Sequence, residues 1–298
     1  MTTMCLIKRN VKLFFKDKGM FFTALITPMI LLVLYATFLG KVYEDSFRTG
    51  LGNVPISDAL MNACVGGQLV SSILAVSCVT VAFCSNMLMV QDKANGSFRD
   101  LVISPVKASS LSIAYYVATL ISTLSICLIA SAICLGYLAI TGWYLSAADV
   151  ALLIFDVVLL SLFGTALSSV INFFLSTQGQ ISAVGSIVSS CYGFICGAYM
   201  PTSQFNDGLQ KVISFLPGTY GTSLLRNHAL RGAFLEMETQ GIPLEAVEEM
   251  RNVMDCNLYF FDHKVSIGAM FAVLLGSIAV LLGAYIFLNL RKIKKMGR

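Results

Sequence analysis

The feature that most constrains this chain is a series of apolar stretches, each as long as a bilayer is thick, divided by short polar segments. A spanning helix needs about 20 mainly apolar residues, because inside hydrocarbon every backbone N–H and C=O must be bonded internally. Residues 20–42, 59–90, 108–140, 147–174, a fifth run after the turn at 176–180, and 265–290 meet that need. They predict an all-α, polytopic membrane protein with six transmembrane helices. With 57% hydrophobic and 12% charged residues and a mean hydropathy of +0.80, a soluble globular domain is excluded. The net charge of +4 does not imply nucleic acid, because the basic residues cluster beside the apolar runs as they do in membrane topology.

The N-terminal basic region and first apolar run resemble a secretory leader only superficially. The run is long, lacks a small-x-small cleavage site and is followed by more spans, so it reads as the first span. Before it, Ile7, Val11 and Phe14, widened by Leu6 and Leu13, make an apolar stripe mostly opposite Lys8, Arg9, Lys12 and Lys16. That pattern fits an interfacial helix over residues 1–18, or alternatively a basic tail that only sets orientation.

Residues 91–107, between the second and third spans, form a short charged loop. Asn95-Gly96 is a turn dipeptide, and Ser104-Pro105 reads as an N-cap followed by proline at the first helical position. One or two helical turns fit between them. Phe98, Leu101 and Val102 share an apolar side, while Asp92, Lys93, Arg99 and Asp100 are charged. Such a piece can dock into a groove on a partner; the same three residues could equally be the buried side of an ordinary inter-helix loop.

The second span is unusually polar. Asn62, Gln68 and Ser72 on it are expected to face protein or a water-filled path rather than lipid. Asp156, deep in the fourth span, is either a functional ionisable group or a hydrogen-bonded structural carboxyl. In the fifth span Gly185, Ser189, Gly193 and Gly197 recur every four residues, a face that lets another helix approach closely.

Residues 200–264 change character. Pro201, Pro217, Gly218 and Pro243 break the segment and eight acidic residues fall in it, yet 212–216 and 220–225 are apolar. The first part is expected to be a re-entrant or interfacial hairpin, and the second an external helix from Pro243 to about Met254 with proline in its first position.

Thirteen of the twenty lysines and arginines lie before the first span, in the 91–107 loop, or after the last span. The positive-inside rule makes that side cytoplasmic, with both termini inside and the acidic insert outside. A plasma-membrane location is expected.

No GxxxxGK[ST] phosphate loop, nucleophile elbow or HExxH occurs, and no zinc-type Cys/His spacing brings His228 or His263 near a cysteine pair. No catalytic, cofactor or metal residue is expected in this chain.

The run Gly96-Ser97-x-x-Asp100-Leu101-x-x-Ser104-Pro105-Val106 resembles a cytoplasmic motif of type-2 ABC transporter permeases. Gly197-x-x-Met200-Pro201, followed by Phe215-Leu216-Pro217-x-Thr219-Tyr220 and Leu225-Arg226, resembles the segment after that family's fifth helix. The order of elements matches over nearly the whole chain, taken as one permease domain, 1–298. One departure is Ala94, where the family usually has glutamate. The resemblance implies an exporter subunit whose loop engages a separate ATP-binding cassette subunit, with ATP and Mg held there. It also implies assembly with a second permease, identical or homologous, within membrane lipid. Pro201, Phe215, Pro217 and Tyr220 would belong to an outer gate. Two other classes stay open on the residues alone: an ion-coupled secondary transporter using Asp156, and a non-transporting membrane sensor.

Overall fold

The computed structural model describes residues 3–51, 56–104, 106–202, 205–261 and 263–296. Helix α1 (Thr3–Lys16) comes first and buries Leu6, Asn10 and Phe14 along one side. The Asp17 carboxylate accepts the Met20 amide and caps α2 (Lys18–Leu34), which runs unbroken through Pro28. A π-helical turn (Tyr35–Leu39) leads into α3 (Gly40–Leu51). The sequence predicted that this rod would end at residue 42, before a polar linker. The helix continues because Arg48 pairs with Glu44 one turn back and with Asp58 ahead, at 2.9 and 3.0 Å, while Tyr43 and Phe47 stack and are buried.

Ser57 caps α4 (Asp58–Ser85), the centre of the molecule. Of its apolar stretch 83% is buried, against 18% for the first long helix and 17% for the last. Helices α7 (Ala108–Thr141), α8 (Ala147–Phe174) and α11 (Pro217–Thr239) pack around it, and α13 (Ile267–Met296) lies outside α7, α8 and α11. A capping box between Ser146 and Asp149 starts α8, and one between Thr177 and Gln180 starts α9 (Gln178–Ile195). Two short helices, α5 (Met87–Ala94) and α6 (Ser97–Ile103), form the segment between α4 and α7. Among the described residues five helices are long and apolar enough to cross a membrane; α9, at 18 residues and rich in serine and glycine, is not among them.

The segment from 200 to 264 differs most from the sequence-based expectation. After α10 (Asp207–Ile213) it holds α11, a 23-residue helix that buries fifteen of its residues. Its apolar positions Tyr220, Leu224, Leu225, Ala229, Leu230, Ala233, Phe234 and Met237 follow helical spacing, although Gly218, Gly221 and Gly232 interrupt the local signal. Those glycines mark close approaches: a Cβ on Gly232 would collide with the Tyr144 carbonyl, and one on Gly221 with Leu160. Helix α12 (Leu244–Val253) begins one residue later than expected, with Pro243 as its cap. A two-residue antiparallel hairpin, β1 (Tyr259–Phe260) and β2 (His263–Lys264), precedes α13.

Candidate functional site

At the end of the bundle that carries α5 and α6, Gly96 adopts φ +83°, a conformation glycine takes without strain, and turns the chain into α6. Ser104 ends that helix. Its hydroxyl donates to the Leu101 carbonyl at 2.6 Å, one of the acceptors left open at a helix C-terminus. The expected N-cap role is therefore wrong: α7 starts at Ala108, with Lys107 as its cap, and Pro105 lies outside the described residues.

Phe98, Leu101 and Val102 are half-buried against Leu6, Met89, Leu111 and Tyr115, a small cluster separate from the main core. The apolar stripe is thus used inside the chain, holding α6 to α1 and α7. On α6, Arg99, Asp100 and the 75%-exposed Ile103 face outward, with Ser97 at its half-buried start.

Asp92 and Lys93 fix this assembly to the bundle. The Arg9 guanidinium donates to both Asp92 carboxylate oxygens at 2.8 and 3.2 Å, and the Tyr115 hydroxyl donates to Oδ2 at 2.5 Å. Asp92 is buried, so its charge is compensated by a bidentate partner and a third donor. The same hydrogen bond raises the Arg9 pKa above its ordinary value. Lys93 donates to the carbonyls of Asn172, Phe173 and Leu175 at 2.9, 2.9 and 3.0 Å, which neutralises the C-terminal end of α8.

One turn deeper, Asn86 separates α4 from α5. Its amide donates to Ser168 and Ser169 on α8 at 3.1 Å each, it accepts from Thr119 on α7, and Asn172 donates to its carbonyl. Further along, Asp156 is 1% exposed, and its carboxylate meets His228 Nδ1 of α11 at 2.5 Å. The imidazole stacks on Phe271 of α13.

At the opposite end a second charged cluster closes the bundle. Arg226 on α11 donates to Asp255 at 2.9 Å, to the Gly197 carbonyl at 2.6 Å and to Ser72 on α4 at 3.4 Å. With its amide oxygen turned inward, Gln68 accepts from the same guanidinium at 3.2 and 3.3 Å. Asp255 also accepts the Thr202 amide and hydroxyl, each at 2.7 Å. Gln68 and Ser72 are therefore enclosed, while Asn62 is exposed near the start of α4. Pro201 is buried beside this cluster in sequence, and Pro217 begins α11. The Tyr220 hydroxyl donates to the Ser214 carbonyl, and Phe215 packs edge-on against Phe260 and Phe261 of the hairpin. A cavity of about 160 Å³ lies between Tyr220, Thr202, Asn252 and Asp255.

The glycines expected on the fifth span do not form one free face. Gly193 is buried against Tyr199, Gly197 is a φ +72° residue inside the Arg226 cluster, and Gly185 meets Met87. Ser189, together with Ser182, Ser186 and Ser190, is exposed. Arg9, Tyr115, Asn86, His228 and Asp255 were not legible as partners beforehand, because each bonds to a residue 23 to 86 positions away.

Several membrane-length apolar helices packed around one central helix are the architecture of a multi-pass membrane protein. Residues 2–229 match the family model of the ABC-2 type transporter, well over half of the chain, and the chain belongs to that family. Permeases of this family are membrane transport components that lack an ATPase site of their own and work with an ATP-binding cassette subunit. None of the curated proteins matches the chain.

Proposed function

We propose that this chain is the transmembrane subunit of an ATP-driven exporter, and that α6 is the part pushed by the ATP-binding subunit. The carrying observation is the way α6 is mounted. Its apolar side is spent on α1 and α7, its neighbours Asp92 and Lys93 are bonded to α1, α7 and α8, and Arg99, Asp100 and Ile103 are left outward. A force on that outer side passes into three helices at once rather than into a loose loop.

In this reading α9 adds a sixth crossing to the five apolar helices. Helix α11 enters from mid-membrane, since Gly221 meets Leu160, thirteen residues into α8, and Arg231 bonds Asp149 near the start of α8. That makes α10 and the start of α11 the re-entrant segment. Both termini and α6 are cytoplasmic, in a plasma membrane. Two permeases, identical or homologous, pair with two ATP-binding subunits that carry the ATP and Mg. An amphipathic cargo, such as a drug, peptide or lipid-like molecule, would pass along α4 when the Arg226 cluster parts, with Phe215 and Tyr220 at the outer gate. The exposed serines of α9 are the stretch of that helix suited to line the path.

The test is co-purification with the cognate ATP-binding subunit and substrate-stimulated ATPase activity. Ile103→Glu combined with Asp100→Arg is expected to abolish both while leaving the fold intact, and deleting 98–102 to uncouple hydrolysis from transport. Unchanged transport in these variants would falsify the assignment. An ion-coupled role for Asp156 is the competing reading; its bond to His228 supports a structural role instead. Normal transport by Asp156→Asn, together with indifference to a collapsed ion gradient, would close that alternative.

A further inference from the structure

Helix α1 presents three sides, and the transport reading uses only the one that docks on the bundle. Leu6, Asn10 and Phe14, four residues apart, are buried there. Lys8, Lys12 and Lys16 repeat at the same spacing two positions further on, which turns them about 200° away, and all three are exposed. No acidic residue precedes Asp17, and among the described residues none of the three lysines forms an ion pair. Arg9, the remaining cation of the helix, is taken up by Asp92. The lysine row is thus a line of uncompensated charge about 12 Å long.

The third side decides what faces that line. Met4 and Phe15 are eleven residues, or three helical turns, apart, so they share a side, and it adjoins Lys8. They are 60% and 40% exposed. The Phe15 ring packs on Phe21 of α2 with centroids 5.8 Å apart, and Phe22, Ile26, Ile30 and Val33 continue an exposed apolar surface along α2. That helix belongs to a membrane-length apolar rod, so its exposed surface meets hydrocarbon. Phe15 therefore holds the lysine row at the edge of the hydrocarbon, where lipid headgroups lie. An apolar flank continuous with a span, beside an uncompensated cationic flank, matches an anionic membrane surface.

We propose that Lys8, Lys12 and Lys16 form a binding surface for anionic lipid headgroups, and that lipid held there steadies α6. The link to α6 runs through the same helix. The Arg9 guanidinium holds Asp92 in the last turn of α5, and Leu6 and Ile7 belong to the cluster that receives Phe98, Leu101 and Val102. Anchoring α1 on lipid therefore anchors the mount of α6. The inference needs only that the chain is a membrane protein, and it stands apart from the exporter reading.

The test is amide hydrogen exchange of the full-length permease alone, in nanodiscs of phosphatidylcholine with and without phosphatidylglycerol. A lysine at an anionic surface strengthens binding about fivefold, so exchange over 3–16 is expected to slow about tenfold or more with phosphatidylglycerol present, and 97–103 to slow with it. High salt is expected to reverse the effect, because the lysines are exposed. Lys8→Gln, Lys12→Gln and Lys16→Gln together are expected to erase the difference between the lipids while exchange in α4 stays unchanged. Lys211→Gln, at an exposed position of α10, is expected to preserve that difference. Equal exchange in both lipids, or a lipid effect that survives in the triple variant, would overturn the site. So would protection of 3–16 that appears only when the ATP-binding subunit is added, in either lipid, since the row would then serve that partner. Slowing over 3–16 with none over 97–103 would overturn the link to α6.

Discussion

Two ion pairs, one at each end of the bundle, solve different problems with the same chemistry. Arg226 and Asp255 have side chains 1% and 3% exposed, and their cluster joins α4, α11, the turn at Gly197 and the segment after α12. Arg9 and Asp92 have side chains 31% and 9% exposed, and they join a surface helix to a short one through the bundle's edge. Water still reaches the second pair, so it holds while tolerating displacement. The first pair is dry, and parting it exposes a charge to a low-dielectric interior. One end is built as a seal and the other as a mount.

The contrast predicts unequal costs. Asp255→Asn keeps a residue that tolerates φ +51° but removes the charge facing Arg226. Loss of about 3 to 5 kcal/mol is expected, read as a lowered midpoint of thermal unfolding in detergent. Adding Arg226→Met is expected to recover much of that loss; no recovery would mean that the cost lies in the Thr202 bonds instead. At the mount, Arg9→Ala or Tyr115→Phe is expected to cost about 1 to 3 kcal/mol, because Asp92 loses only part of its compensation. Each is expected to weaken the dependence of ATPase activity on substrate more than it weakens the fold. Equal costs at the two ends would break the comparison.

The smallest effect concerns the β1–β2 hairpin, where the Lys264 ammonium donates to Glu248 at 2.6 Å and lowers that carboxyl's pKa below its usual range. A depressed carboxyl pKa contributes stability above its unfolded value, and that contribution is lost as pH falls through the folded value. Both groups are about half exposed, so the contribution is less than about 1 kcal/mol. Glu248→Gln is expected to speed amide exchange at 259–261 and 263–264 at neutral pH, with the difference from the unaltered chain vanishing below the ordinary carboxyl range. A difference that persists in acid would assign the hairpin's stability to the Phe215, Phe260 and Phe261 cluster instead.

The sequence was most informative where structure is decided locally. The turn at Gly96, the ends of α8, and the helix start after 176–180 follow from turn chemistry and capping. It misled where a residue's partner is distant. The apolar side of α6 is visible as Phe98, Leu101 and Val102, but spacing alone does not distinguish a stripe offered to a partner from one buried on α1. Ser104 was misplaced because Ser-Pro reads the same whether it closes one helix or opens the next. Helix α11 was obscured by glycines that look like breaks in isolation and become close-packing points beside Tyr144 and Leu160.

Membrane class, the apolar helices and the polar character of α4 are determined by the sequence itself, because hydropathy over about 20 residues decides whether a segment can leave water. Tertiary structure alone decided which polar residues meet. Arg9 and Asp92 stand 83 positions apart, Asp156 and His228 72, and Gln68 lies under Arg226 only once α4 and α11 cross. The physical reason is that burying a charge is favourable only when its partners are already in place. That condition is set by packing and not by neighbours in the chain.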